Sequence, residues 1–141
     1  MAQAFNWKKL QNGSDIRGVA LEGIADEKVN LTPEVATRLG QAFVSWLSQK
    51  LEKQAAKLTV SIGRDSRLSG PKLMLAVMEG MTALGSKVYD FDIASTPAMF
   101  MSTVTPEGRG GEQPNSTWIN CSFNLLHGTF CSAGTAVPDI E

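Results

Sequence analysis

Two arginines three positions apart, Arg64 and Arg67, stand in the polar loop Gly63-Arg-Asp-Ser-Arg-Leu-Ser-Gly70, between an apolar run and a helix-like one. Guanidinium groups in such a loop could hold a phosphate through charge-assisted hydrogen bonds. The backbone N–H groups at the start of the following helix would favour the same anion. The end of a strand entering a helix is also where α/β sheets present groups to ligands. Asp65 offers a competing arrangement, in which its carboxylate pairs with one of the arginines and only stiffens the turn. Gly63 and Ser69 frame the loop, with Ser69 or Gly70 capping the next helix and Pro71 in its first turn.

Spacing excludes two nucleotide sites. A P-loop requires Gly-x4-Gly-Lys-Ser/Thr, whereas this loop has two residues too many between Gly63 and Gly70, and Lys72 lies between Pro71 and Leu73. The Gly-x-Gly-x-x-Gly dinucleotide pattern is absent after the same apolar run. Cys121, His127 and Cys131 do not have the spacing of a four-ligand structural zinc site, so no metal is assigned to the chain. Asn30-Leu-Thr32, Asn115-Ser-Thr117 and Asn120-Cys-Ser122 fit the glycosylation pattern only by coincidence if the protein is not exported. Met74, Met78 and Met81 make a helical stripe best explained as core packing, and Trp7 and Trp46 as aromatics packed on an amphipathic face.

The elements that must position the loop fit in one ordinary domain, because 141 residues allow a single core. A net charge of -1 gives no broad attraction to nucleic acid, and no apolar run approaches the roughly 20 residues of a membrane span. Met1 to Asn12 lacks the apolar centre of a secretory signal, and two cysteines without one argue against a disulfide framework. The expectation is a soluble protein of the cytoplasm or of an organelle such as a plastid, not a secreted one.

Thr32, Pro33 and Glu34, followed by Val35, Leu39, Phe43, Trp46, Leu47 and Leu51, predict a capped amphipathic helix over 32–51. Leu58 to Ile62 is short and β-branched and predicts a strand. Leu73, Val77, Met81 and Leu84 mark the next helical face, Gly85 stops it, and Tyr89, Phe91 and Ile93 alternate with Asp90 and Asp92 in a second strand. Strand, helix and strand make a βαβ unit with parallel strands. Ser95-Thr96-Pro97 starts another helix. From Gly108 a breaker cluster opens a stretch of different composition, expected to be irregular because Ile119 to Phe123 and Asn124 to Phe130 could each make a short strand but neither has a partner or turn signal, so the division is 1–107 and 108–141.

Three segments in order, Gly13-Ser-Asp-Ile-Arg-Gly18, Ile62-Gly-Arg-Asp-Ser-Arg-Leu-Ser-Gly70 and Ala94-Ser-Thr-Pro-Ala98, resemble the opening of the α-D-phosphohexomutases, the phosphoglucomutases and phosphomannomutases. The resemblance implies the first α/β domain of that family, a three-layer α/β/α fold with a short, mainly parallel sheet. It implies an intramolecular phosphotransferase interconverting hexose 1- and 6-phosphates with Mg2+ in the full-length enzyme. Arg17, with Ser14 and Asp15 beside it, falls at the phosphate site, and Arg64, Asp65 and Arg67 on a supporting segment. The family's Thr-Ala-Ser-His-Asn-Pro strand has no counterpart: no serine in the chain precedes a histidine, and Ser116, Ser122 and Ser132 are followed by Thr117, Phe123 and Ala133. The metal loop and sugar loop are likewise missing, so the chain alone is expected to be inactive, with its sheet left short and a strand edge exposed. The alternative is a non-catalytic module that joins a full-length mutase or another protein through that edge.

Overall fold

In the computed structural model, which describes residues 5–13, 15–23, 28–95, 97–99, 120–124 and 129–130, the last two stretches as backbone, Thr32 opens the first long helix, α1 (Pro33–Lys50). Its Oγ1 accepts from Val35 N at 3.4 Å, and Pro33 occupies the first turn, where a missing N–H costs nothing. A hydrogen bond from the Thr32 side chain is the main reason that the Glu34 carboxyl lies below its ordinary range. Val35, Ala36, Leu39, Gly40, Phe43, Val44 and Leu47 form the buried face. Trp46 is displaced from it, 44% exposed against Phe43 with Lys50 over its ring, and Trp7 is 41% exposed, so neither packs inward as expected.

Strand β3 (Thr59–Arg64) follows, and its Val60 and Ile62 join the core with α1 and with α2 (Gly70–Ala83). Met74 and Met81 are buried in that core and Met78 packs against it, as the stripe predicts. Gly85, at φ +89, ends the turn after α2 and leads into β4 (Lys87–Ile93), which pairs with β3 in parallel through Thr59↔Lys87 to Ile62↔Asp90. The βαβ unit is therefore present. Ser69 stands at the cap of α2 without a side-chain bond, its carbonyl accepting from Leu73 N at 3.1 Å.

The second face of β3 is covered too. Ile62 belongs to the core that the two helices share, so Gly63, one residue on, faces the other way. A Cβ on Gly63 would lie 2.7 Å from Met99 Sδ and 3.1 Å from Ala94 Cβ. Met99 is fully buried there, in a helical turn at 97–99 that Ser95 caps through Ala98 N. Helices on one face of the strand and this turn on the other give the α/β class expected from the sequence.

Two expectations need correction. The stretch expected to be irregular contributes β5 (Asn120–Asn124) and β6 (Thr129–Phe130), which follow β1 (Gln11–Asn12) and β2 (Asp15–Ile16) into one sheet of order β1-β2-β6-β5-β3-β4. The exposed edge expected on the Leu58–Ile62 strand is not there, because β5 pairs with β3 in parallel from Ser61↔Asn120 to Arg64↔Phe123. Residues 120–124 carry little strand alternation, and nothing local in them names β3 as their partner. The ends of the described sheet are β1 and β4.

Candidate functional site

The first candidate segment begins at a tight hairpin. β1 and β2 pair through Asn12↔Asp15, and Gly13 turns the chain at φ +61, a conformation that disfavours any side chain even though nothing lies within 4 Å of its added Cβ. Ser14 lies outside the described residues, and Asp15 is placed as backbone in β2. Arg17 follows directly, half-buried, its N–H donating to Leu10 O at 2.7 Å.

What fixes the chain after Arg17 is Asn30. Its Oδ1 accepts from Val19 N at 2.7 Å, while its own N–H and that of Leu31 donate to Val19 O at 3.0 Å each. Gly18 sits under the same group: a Cβ there would fall 2.7 Å from Asn30 Oδ1, 2.8 Å from Leu10 Cδ2 and 2.9 Å from Leu31 Cβ. In the sequence Asn30 stands out only as the first residue of a glycosylation pattern. Its amide oxygen instead closes the Arg17–Val19 segment onto the start of α1.

In the second segment, the arrangement in which Asp65 stiffens the turn is the one found. Asp65 Oδ1 accepts from Arg67 N at 3.1 Å, and Oδ2 lies 3.2 Å from Arg67 Nε. Arg64 pairs across the sheet with the Asp92 carboxylate, and its Nη1 donates to Asp65 O at 3.2 Å. Asp92 is a participant that the sequence did not mark out. Buried Nε of Arg64 and Nη1 of Arg67 have no hydrogen-bond partner among the described residues. Buried guanidinium donors left in this way favour an anion or an acceptor from elsewhere in the molecule.

The register relates the two segments. Arg64 is opposite Phe123, Phe123 opposite Phe130, and Phe130 opposite Ile16, so Arg64 and the residue before Arg17 occupy one rung of the sheet. β5 is parallel to β3, and β2 and β5 are both antiparallel to β6; β2 therefore runs with β3. Both arginine segments leave the carboxyl ends of strands, the side on which α/β sheets place ligands. Three strand spacings of ~4.8 Å separate the two strands, or about 14 Å, so they share an edge without touching. β5 presents Asn120-Cys-Ser-Phe-Asn124 between them. Among the described residues no three His, Cys, Asp or Glu side chains converge as a metal site, and no helix is long and apolar enough to cross a membrane.

Comparison with known proteins matches residues 8–111 to a family model described as phosphoglucomutase/phosphomannomutase, alpha/beta/alpha domain I. A phosphoglucomutase/phosphomannomutase of Thermococcus kodakarensis is 40% identical over 91 residues, covering 64% of this chain and 19% of its own. A phosphoglucosamine mutase of Alkaliphilus metalliredigens is 39% identical over 121 residues, 84% of this chain and 25% of its own. The crystal structure of a phosphoglucomutase/phosphomannomutase family protein from Burkholderia thailandensis superposes with a TM-score of 0.58 at 29% identity, over 83% of this chain and 24% of that one. The chain thus spans about a fifth to a quarter of the length of these relatives.

Proposed function

Because the chain belongs to the phosphoglucomutase/phosphomannomutase family, we propose that it supplies the phosphate-facing first domain of a hexose-phosphate mutase and has no turnover by itself. The observation that carries this is the domain I match over residues 8–111, which spans both arginine segments. Arg17, with Ser14 and Asp15 at the hairpin, is the proposed contact to a sugar phosphate. Arg64 and Arg67, on the same edge, are proposed as a second positive group that receives a phosphate, held in shape by Asp65, Gly63 and Ser69. A cytoplasmic or organelle location and the division into 1–107 and 108–141 belong to the same proposal.

Phosphoryl transfer is catalysed chiefly by positioning and by stabilising the charge that spreads over the moving group. What these residues can supply is orientation of the anion and positive charge next to it. Mg2+ is the ion expected for the family, and the described residues bring together no group of three His, Cys, Asp or Glu side chains to hold it. The reacting hydroxyl is a further requirement, and none of the serines of the chain stands before a histidine in the family manner.

Two measurements on the full chain test the proposal. Glucose 1-phosphate incubated with it and Mg2+ should give no glucose 6-phosphate, and steady conversion would refute the inactivity. In a titration followed by amide shifts, Arg17→Ala should weaken glucose 1-phosphate binding at least about tenfold, the scale of a lost charged hydrogen bond. Unchanged affinity would remove Arg17 from the site.

A further inference from the structure

Asp92 has an unusual position for a surface carboxylate. β4 carries one extra residue against β3, since Ile62 is opposite Asp90 but Arg64 is opposite Ile93, and Asp92 sits in that bulge at φ +52. Side chains seldom take this conformation, although Asp and Asn tolerate it better than most. Its N–H donates to Asp90 Oδ1 at 2.6 Å, and Ala94 N reaches Arg64 O at 3.0 Å just beyond, so the bulge is tied down on both sides. Bulges of this kind re-aim a side chain, and the one re-aimed here ends on Arg64.

The exposure of the pair is lopsided. The Arg64 side chain is 14% exposed and that of Asp92 69%, so the carboxylate stands on the solvent side of the guanidinium. Of the other Arg64 donors, Nη1 is engaged by Asp65 O and Nε is shut away from solvent. An anion arriving from solution therefore meets Asp92 first. Asp65 cannot move aside in the same manner, because both of its oxygens are fastened to Arg67.

Resting on the reading that the Arg64–Arg67 loop receives a phosphate group, we propose that Asp92 is a built-in counter-ion which occupies Arg64 and is displaced when a phosphate dianion binds. A carboxylate and a phosphate compete for the same guanidinium nitrogen, Nη2, and repel each other at contact distance. Asp92 then lowers the loop's affinity for any phosphate about threefold, the scale of an exposed ion pair, and a ligand with further contacts to the domain more than offsets it.

The test titrates inorganic phosphate into the isotope-labelled full chain and follows the amides of 64–70. Asp92→Asn keeps the side-chain shape and tolerates the left-handed backbone, so it removes little but the charge. It should bind phosphate about threefold tighter, the scale of an exposed ion pair, and Arg64→Gln should abolish that gain. Asp92→Gly, which also relieves the backbone, should tighten binding similarly and serves if the asparagine variant folds poorly. Binding that depends on Arg64 but is unchanged or weaker in both Asp92 variants overturns the counter-ion role alone. Phosphate binding that is absent throughout, or that survives Arg64→Gln and Arg67→Gln together, overturns the loop's phosphate role and the proposal with it.

Discussion

Gly80→Ala should lower the stability of the chain by about 1–3 kcal/mol, although alanine is the better helix former by roughly 1 kcal/mol. The reason is the crossing of α1 and α2. A Cβ on Gly80 would lie 2.0 Å from Thr37 O and 3.1 Å from Gln41 N, and a Cβ on Gly40 would lie 2.3 Å from Val77 O. Each glycine thus faces the backbone of the other helix, and backbone cannot rotate away as a side chain can. The helices would have to separate by about an ångström, loosening Ala36, Val44, Val77 and Met81, which are all 5% exposed or less. Gly40→Ala should have a similar effect. The double variant should cost less than the sum, because one separation accommodates both methyl groups. Urea unfolding of the three variants measures this; stabilisation by Gly80→Ala would mean that the helices do not meet there.

That crossing also shows what the sequence could and could not convey. Helix periodicity located the buried faces of α1 and α2, because Val35, Leu39, Phe43 and Leu47, or Leu73, Val77 and Met81, repeat within one element. It could not show that Gly40 meets Val77 and Gly80 meets Thr37, since nothing local relates positions about 40 residues apart. The same limit hid Asp92: in sequence it is a polar member of an alternating strand, and only the register with β3 reveals the bulge. That bulge also leaves Ile93 61% exposed, where strict alternation would have it share the setting of Tyr89 and Phe91. The Gly63–Gly70 loop was legible as a strand-to-helix junction, but its internal pairing was not. Asp65 could have served Arg64 or Arg67, and choosing between them required Asp92. β5 is the extreme case: Ile119 to Phe123 reads as a possible short strand, but nothing within it names β3 as the partner.

Asn30→Ala should produce the second large effect, and in two separate measurements. Truncation leaves the N–H of Val19, now bonded at 2.7 Å, without an acceptor in a part-buried position, which costs about 1–3 kcal/mol. The loss should appear first as faster amide exchange at Val19 and Leu31, since both bonds that Val19 O accepts depend on the same closure. Asn30→Asp retains an acceptor of the same shape and should restore most of the protection. If Arg17 is the phosphate contact proposed above, loosening the segment beside it should also weaken glucose 1-phosphate binding severalfold, with recovery in Asn30→Asp smaller because its added charge repels the ligand. Exchange that accelerates without any change in affinity would confine Asn30 to folding, and would place the sugar phosphate away from the Arg17 hairpin. Unchanged exchange would remove the clamp itself. The two readouts separate because the hydrogen bond acts on the backbone of 18–19, whereas the ligand would feel it only through the guanidinium that this backbone aims.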